Sequence, residues 1–206
     1  LHRSSPLWFV DTISEHEPQA FINQNGTTAR PGSQVFLKQF GDVRADITQA
    51  DENTVEGFYG GNFAQQRGDN NQLTVIQDPG NDGLVGVDQR GTNHAMRVET
   101  EDGNNHEAQM KQRGNGHTAK VTQRGGRTFV EVQQFNSSNE TFIDQGDVGG
   151  GPDGTEDSSA QVYQDGAFNR TDVIQRGGFN WVDVTQTGNS GLVEISQSGN
   201  ESMTLP

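Results

Sequence analysis

The sequence contains no cysteine. Disulfide staples and thiolate metal sites are therefore excluded, whereas the cellular compartment is left open. Hydrophobic residues are also scarce, at 29% of the 206 residues. The longest early apolar run is Leu7 to Val10, which is too short for a membrane span or for the core of a signal peptide. If the protein is secreted, we expect its signal peptide to lie outside this chain.

The signatures of common enzymes are missing as well. No Gly-x-Ser-x-Gly, His-Glu-x-x-His or phosphate-binding loop occurs in the sequence. The net charge of −14 argues against a general nucleic-acid binder, because such proteins need cationic contacts to phosphate. We therefore expect a protein that is not an enzyme, has no cofactor, metal site or catalytic residue, does not bind nucleic acid specifically and does not insert into a membrane.

What the sequence has instead is a repeat of 11 or 12 residues. Within residues 169–200, Gln175, Gln186 and Gln197 recur at intervals of 11, and each is followed two residues later by glycine. A pair of small or β-branched residues in alternation precedes each glutamine, as Val182 and Val184 precede Gln186. Each unit is typical of a short strand with one buried face, followed by a tight turn. A unit this small buries a face only by stacking on its neighbours, so the repeat predicts a solenoid.

The fold class that follows is all-β. Two units make about 22 residues, and we interpret them as one turn of a β-solenoid, with a strand on each of two opposing faces and an arc between them. Small and β-branched residues suit a thin interior between two sheets, while alternate positions such as Lys120 and Asp183 face solvent. The open strand edges at the two ends are expected to add further copies, which would give a cross-β filament.

The solenoid is expected to span residues 20–206, after an irregular N-terminal segment or cap at residues 1–19. Two stretches break the spacing of the glutamines. One is an irregular, glycine-containing stretch at residues 50–61. The other is an inserted loop rich in glycine and aspartate at residues 146–158, which we interpret as an insertion at a turn because the spacing resumes unchanged after it.

The candidate functional residues are inward-facing amides and turn glycines. A buried amide needs hydrogen-bond partners, and amides stacked one turn apart can supply them to one another; the same spacing places Glu101 between Gln89 and Gln112. The predicted amide ladder comprises Gln66, Gln77, Gln89, Gln112, Gln123, Gln134, Gln145, Gln164, Gln175, Gln186, Gln197, Asn71, Asn139, Asn169 and Asn180. The predicted arc glycines, at turns that favour a left-handed backbone, are Gly68, Gly91, Gly103, Gly114, Gly125, Gly166, Gly177, Gly188 and Gly199.

The spacing Gln-x-Gly-x-x-Asn-x-(small)-x-x-x-Gln resembles the curlin repeat of bacterial curli. It runs from Gln66 to Gln77, from Gln164 to Gln175 and on to Gln186, and the resemblance covers residues 62–206 well and residues 20–49 weakly. It implies a strand–arc–strand solenoid that is secreted and assembles outside the cell into functional amyloid fibres of the biofilm matrix. It also implies copies of the chain itself as partners, together with a nucleator subunit and an outer-membrane secretion pore.

Two polar series allow alternative interpretations. Each of the three histidines His94, His106 and His117 lies five residues after a ladder position, and they either bind a metal or replace the inward asparagines. The second series, Arg67, Arg90 and Arg113, recurs at steps of 23. It forms either a stripe for a polyanion or a set of solvated arc residues balanced by nearby acids such as Asp69 and Asp102.

Two further interpretations concern the outer surface and the chain as a whole. The strand aromatics that alternation places outward would support lateral bundling of filaments if they shared one patch: Phe36, Phe129, Phe142, Tyr163 and Trp181. The alternative to a fibre subunit is a monomeric β-solenoid binding module, such as an adhesin or an ice-binding domain. Ice binding would favour a flat array of threonines, whereas the outward positions are charged and varied.

Overall fold

The computed structural model is a coil of parallel β-strands. It describes residues 8–13, 18–24, 34–41, 43–49, 54–57, 64–77, 80–81, 83–101, 103–104, 106–125, 128–146, 158–198 and 203–204. In chain order, the strands are β1 (Trp8–Ile13), β2 (Gln19–Gln24), β3 (Gln34–Phe40), β4 (Val43–Gln49), β5 (Thr54–Gly57), β6 (Ala64–Arg67), β7 (Asn71–Gln77), β8 (Gly80–Asn81), β9 (Leu84–Thr92), β10 (Ala95–Glu101), β11 (Gly103–Asn104), β12 (Glu107–Asn115), β13 (Thr118–Arg124), β14 (Thr128–Ser137), β15 (Glu140–Gln145), β16 (Ser158–Ala167), β17 (Arg170–Arg176), β18 (Trp181–Asn189), β19 (Leu192–Ser198) and β20 (Met203–Thr204). None of these residues is helical, so none forms a helix that could cross a membrane.

The strands alternate between two large sheets. The ten-stranded sheet has the order β1-β3-β5-β9-β12-β14-β16-β18-β20, with β6 paired to β3 and β9, and the eight-stranded sheet has the order β19-β17-β15-β13-β10-β7-β4-β2. The first arc is the segment that takes the chain from the ten-stranded to the eight-stranded sheet, and the second arc returns it. Since every strand pairs in parallel with the strand one turn away, as β10 does with β7 and β13, the all-β solenoid predicted from the repeat is confirmed.

One turn of the coil takes 22 or 23 residues where the repeat is regular. The glutamines at equivalent positions in successive turns are 23 residues apart from Gln66 to Gln89 and 22 apart from Gln112 to Gln134. The step lengthens to 30 from Gln134 to Gln164, across the stretch that was predicted to be an inserted loop. Residues 147–157 of that stretch lie outside the described part of the chain, and Ser158 already begins β16. The register is therefore maintained across the insertion.

The stretch at residues 50–61, predicted to be irregular, contains a strand. Strand β5 pairs with β3 through Val35 and Val55, whereas β6 pairs with the second half of β3 through Leu37 and Ala64. Both pieces then pair with β9. The extra residues of this turn therefore interrupt a strand of the ten-stranded sheet, which explains why the step from Gln39 to Gln66 is 27 residues. The N-terminal segment likewise contributes β1, which lies at the edge of the same sheet.

A thin apolar core fills the space between the two sheets. Side chains alternate between the inside and the outside of a strand, and the inward ones are small or β-branched. In β7 and β9, for example, Leu73, Val75, Val85 and Val87 are at most 1% exposed. The rest of each inward row is polar, and it is this polar part that forms the candidate functional site.

Candidate functional site

A continuous ladder of glutamine side chains runs along the ten-stranded sheet. In each glutamine, Nε2 donates to Oε1 of the glutamine one turn later, over 2.8–3.1 Å. All members but the last are fully buried, and Gln186 is 8% exposed. The ladder comprises Gln39, Gln66, Gln89, Gln112, Gln134, Gln164 and Gln186. It therefore starts one turn earlier than the predicted series, which began at Gln66 because the 27-residue step hides Gln39 from a strict period.

The same amide nitrogens also connect the two sheets. Besides its bond along the coil, Nε2 of Gln89 donates to the carbonyl oxygen of Gln72 over 3.1 Å, and Nε2 of Gln164 donates to that of Glu140 over 3.1 Å. Both carbonyls belong to strands of the eight-stranded sheet. Each amide thus uses one proton along the axis and the other across the interior, so it satisfies a buried polar group in two directions.

The eight-stranded sheet carries a second ladder, which is interrupted. Gln49 donates to Gln77 over 2.7 Å at one end, and Gln145 donates to Gln175 over 2.6 Å and Gln175 to Gln197 over 3.0 Å at the other. Nε2 of Gln123 instead donates to the hydroxyl of Thr128 over 2.8 Å. The predicted ladder residues Gln77, Gln123, Gln145, Gln175 and Gln197 therefore share one column without forming one chain of hydrogen bonds.

Thr100 causes the central break in this second ladder. It pairs with Gln77 on one side and Gln123 on the other and is 2% exposed, whereas Glu101 is exposed on the outer surface. The assignment of Glu101 to the ladder was therefore wrong. A threonine side chain is too short to reach both neighbours, and Nε2 of Gln77 and Oε1 of Gln123 are buried without a hydrogen-bond partner.

A third buried column follows the first arc and contains the predicted Asn71, Asn139 and Asn169. These asparagines bond to the backbone rather than to one another. Nδ2 of Asn71 donates to the carbonyl oxygens of Arg67 and Gly91 over 3.2 and 2.9 Å. Oδ1 of Asn139 accepts from the backbone N–H of Asn169 over 3.0 Å. Each asparagine therefore ties its own arc to the arc one turn later.

His94 and His117 occupy two turns of that asparagine column. Nδ1 of His94 accepts from the backbone N–H of His117 over 3.3 Å, and Nδ1 of His117 accepts from that of Asn139 over 3.2 Å. Nε2 of each ring lies 3.1–3.2 Å from the carbonyl oxygen of the arginine four residues earlier. Both rings are therefore neutral, with the proton on Nε2. Burial lowers the pKa of His117 to about 4 and also lowers the pKa of His94.

His106 lies on the opposite side of the coil from the other two histidines. The register aligns it with Thr128, Ser158 and Asn180, beside the second arc. Its Nδ1 is 3.0 Å from the hydroxyl of Thr128, and burial lowers its pKa to about 4. Asn180, grouped with the other asparagines in the predicted ladder, therefore belongs to a separate column. No group of His, Asp and Glu that could hold a metal occurs among the described residues.

The glycines of the first arc stack directly on one another. Gly68, Gly91, Gly114 and Gly166 have φ between 115° and 129°, and a Cβ on any of them would lie 1.8–1.9 Å from a carbonyl oxygen of the next arc. Asn136 takes the place of glycine in one turn, at φ 73°. Only glycine combines this backbone conformation with so close an approach, so these positions set the stacking distance of the arcs.

The other predicted glycines lie elsewhere. Gly125 and Gly177 belong to the second arc and share a φ of 80°. Gly188, at φ 102°, ends the first-arc stack, and a Cβ added there would meet no atom within 4 Å. Gly103 is in β11, paired with Gly80, and Gly199 lies outside the described residues.

The outward arginines pair with an acidic residue that the sequence did not single out. Arg67, Arg90 and Arg113 stand in one column. Asp88, on the neighbouring outward column, accepts from Nε of Arg90 over 2.7 Å and from a terminal nitrogen of Arg113 over 3.0 Å. This arrangement favours solvated, paired arginines over a stripe that binds a polyanion.

The outward aromatics do not share one patch. Phe142 belongs to the eight-stranded sheet, where the guanidinium of Arg170 lies 5.2 Å from its ring centre. Phe129 and Trp181 share a column of the ten-stranded sheet but are separated by Ser159. Tyr163 lies in a different column and contacts Phe135, with ring centroids 5.5 Å apart. The five predicted positions therefore give no continuous surface for bundling.

Both ends of the eight-stranded sheet are open strand edges. Among the described strands, β19 pairs only with β17, and β2 pairs only with β4. The inward residues of β19, Val193 and Ile195, are only partly buried, and so are Ala20 and Ile22 of β2. The coil thus leaves unpaired backbone groups and incompletely covered apolar side chains at each end.

Comparison with known proteins adds one finding to this geometry. The family model of the Curlin associated repeat matches residues 169–199, which comprise β17, β19 and the strand between them. No curated protein and no solved structure matches the chain. The matched residues contain the glutamines and glycines whose stacking is described above, and the same columns continue through the earlier turns. The chain is therefore a curlin-repeat protein.

Proposed function

We propose that the protein is the structural subunit of a secreted, self-assembling amyloid fibre of the biofilm matrix, polymerising by stacking the end of one coil onto the next. The observation that carries this proposal is the pair of open edges on the eight-stranded sheet. Inward apolar residues of β2 and β19 are covered on one side only, and a second copy is the partner whose strands continue the same columns.

The columns specify how the two ends would meet. Within the coil, Ile22, Ile47 and Val75 share one column of the eight-stranded sheet, and Ile195 ends that column at β19. Continued into a second copy, the same register places Ile22 over Ile195 and Ala20 over Val193. Each contact buries apolar surface that is partly exposed in the single chain, which favours association.

A structural role rather than a catalytic one is supported by how the polar groups are used. The buried amides bond to one another and to the backbone, and the outward charges pair across neighbouring strands, as Asp144 does with Arg124 and Arg176. These groups are engaged in holding the coil together. Extracellular localisation, a nucleator subunit and a secretion pore are parts of the proposal that rest on the curlin repeat.

Disulfide trapping tests the junction directly, because the natural chain has no cysteine. Phe21 and Glu194 share an outward column at opposite ends of the coil. In a stacked pair of chains their Cα atoms would lie about 4.8 Å apart, within reach of a disulfide. The double variant Phe21→Cys with Glu194→Cys should give a ladder of covalent multimers on non-reducing gels, formed only after assembly.

The matched control moves one cysteine along the same strand. Phe21→Cys with Ser196→Cys separates the two Cα atoms by about 8 Å, which is too far for a bridge. Equal cross-linking of both variants would contradict the junction. At a coarser level, filaments should bind thioflavin T and diffract at about 4.7–4.8 Å along their axis. A persistent monomer would instead support the solenoid binding module.

A further inference from the structure

Two phenylalanines adopt a backbone conformation that their type disfavours. Phe168 has φ 60° and Phe179 has φ 59°, in the left-handed region that bulky residues rarely occupy. At the position of Phe168 the other turns have residues that tolerate this region: Asn70, Asn93, Gly116, Ser138 and Ser190. The stacked arcs dictate the conformation, since the backbone N–H of Phe168 donates to the carbonyl oxygen of Ser137 over 3.2 Å. The choice of phenylalanine therefore needs another reason.

Neither ring is used within its own chain to fill the core. Phe168 is 65% exposed and Phe179 is 50% exposed, so each presents a large apolar surface to solvent. Two residues beyond Phe179, Trp181 is 36% exposed. A strained backbone conformation combined with an exposed aromatic ring is typical of a binding position rather than of a folding requirement.

The two rings lie on opposite edges of the same turn. Phe168 is in the first arc, between β16 and β17, and Phe179 is in the second arc, between β17 and β18. Half a turn separates them, which corresponds to a height difference of about 2.4 Å along the coil axis. A sideways translation of one copy, without rotation, therefore brings its first arc and Phe168 against the second arc and Phe179 of a neighbour.

We propose that Phe168 of one chain docks against Phe179 of a second copy in a neighbouring filament, so that filaments associate edge to edge in parallel. This inference rests on the proposed function, because it requires filaments. The contact is heterologous: each chain offers a different ring on each edge, and the arrangement extends without limit in the plane of the sheets.

The size of the contact determines when it acts. A pair of aromatic side chains buries a few hundred Å² at most, whereas a stable protein interface needs about 1,200–2,000 Å². Single chains should therefore not dimerise through these rings. A filament presents one such pair per copy, and many weak contacts in register add up to lasting association. Bundling should thus follow filament formation rather than precede it.

The test uses the variants Phe168→Ser and Phe179→Ser of the whole chain. Serine already occupies the equivalent left-handed positions 138 and 190, so Phe168→Ser should fold at least as well as the natural chain. Phe142→Ser removes an aromatic ring from a sheet face and serves as the control. Each protein is assembled separately, filament yield is followed by thioflavin T, and bundle width is measured by electron microscopy.

We expect the natural chain and the Phe142 variant to form bundles, and each edge variant to form filaments in similar yield that stay separate. Mixing preformed Phe168→Ser and Phe179→Ser filaments should partly restore bundling, since one supplies the ring that the other lacks. Bundling that is lost in the Phe168 variant but kept in the Phe179 variant would overturn the heterologous contact. Unchanged bundles in both variants, or natural filaments that never bundle, would overturn it too. If no protein forms filaments, the proposed function itself fails, and this inference fails with it.

Discussion

The rings of His94 and His117 lie face to face across one turn of the coil, with centroids 5.1 Å apart and planes only 2° from parallel. Each ring takes the place of an asparagine side chain in the column that ties successive arcs together. An unprotonated Nδ1 is needed for this role, because it accepts a backbone N–H of the next turn. Protonation of Nδ1 would set one donor against another.

The coil should therefore lose stability in mild acid. Burial holds the pKa of His117 at about 4, while an unfolded histidine titrates near 6.5. Below pH 6.5 the unfolded chain binds more protons than the folded one, so the free energy of unfolding falls as the pH drops from about 6.5 to about 4. For His117 alone the loss at pH 4 is about 3 kcal/mol. Chemical denaturation at a series of pH values measures it.

Carboxylates titrate in the same range, so the comparison needs a variant. Replacing both His94 and His117 by Asn retains the acceptor at each position, as Asn71 and Asn139 show in neighbouring turns. The free energy of unfolding of this variant should change less between pH 6.5 and pH 4 than that of the natural chain. Equal slopes for the two proteins would contradict the assignment of neutral, bonded histidines.

Interrupting the continuous glutamine ladder should be costly. Gln112 accepts from Gln89 over 3.1 Å and donates to Gln134 over 2.8 Å. Replacing Gln112 by Leu keeps the approximate volume but leaves two buried polar atoms without partners, which should lower the free energy of unfolding by about 2–6 kcal/mol. Gln133→Ala, at the next outward position, should change it by less than about 0.5 kcal/mol. Similar losses in both variants would show that the ladder contributes little.

Completing the interrupted ladder should have the opposite effect. A glutamine at position 100 would give Nε2 of Gln77 an acceptor and Oε1 of Gln123 a donor, and both atoms now lack partners. We expect Thr100→Gln to raise the free energy of unfolding by about 1–3 kcal/mol. The same change at exposed Thr48, on the outer face of β4, should leave it nearly unchanged. A Thr100→Gln variant that is less stable than the natural chain would show that the column has no room for the longer side chain.

Two glycines of the first arc should respond differently to alanine. In Gly91→Ala the new Cβ would lie 1.9 Å from the carbonyl oxygen of Gly114, so the arcs must separate, and the free energy of unfolding should fall by more than about 2 kcal/mol. In Gly188→Ala the Cβ meets no atom within 4 Å, and only the left-handed backbone contributes, at about 1–2 kcal/mol. Thermal or chemical denaturation of the two variants makes the comparison.

Gly188→Ala should nevertheless slow assembly, because in the proposed fibre a second copy would stack on this arc. Elongation from seeds made of this variant, followed by thioflavin T, should be slower than its small effect on stability accounts for. Normal elongation would argue against close stacking of arcs at the junction.

Much of the fold could be predicted because one physical requirement recurs at every turn. A buried glutamine such as Gln134 needs a partner at the same height above and below, so its spacing in the sequence reports the pitch of the coil. The positions that were assigned wrongly are those where half-turns of 11 and 12 residues were counted instead of whole turns. Thr100 lies 23 residues from both Gln77 and Gln123, and counting whole turns identifies it.

Other features depend on which sheet a residue enters, which an 11-residue period does not distinguish. His106 and His117 have the same offset from their glutamines, yet successive half-turns belong to opposite sheets. The division of one strand into β5 and β6 depends on where an insertion leaves the sheet. The left-handed backbone of Phe168 is imposed by the neighbouring arcs and leaves no mark in the residue type itself.

The direction of the amide bonds gives the coil a polarity. In both ladders the bonds between glutamines run from the nitrogen of one side chain to the oxygen of a later one, so the dipoles of the side chains point the same way. The first member, Gln39, has a buried oxygen without a partner. Two identical ends brought together would oppose oxygen to oxygen or nitrogen to nitrogen. Such a coil has a head and a tail, and a fibre built from it would be a one-way arrow whose tips differ chemically.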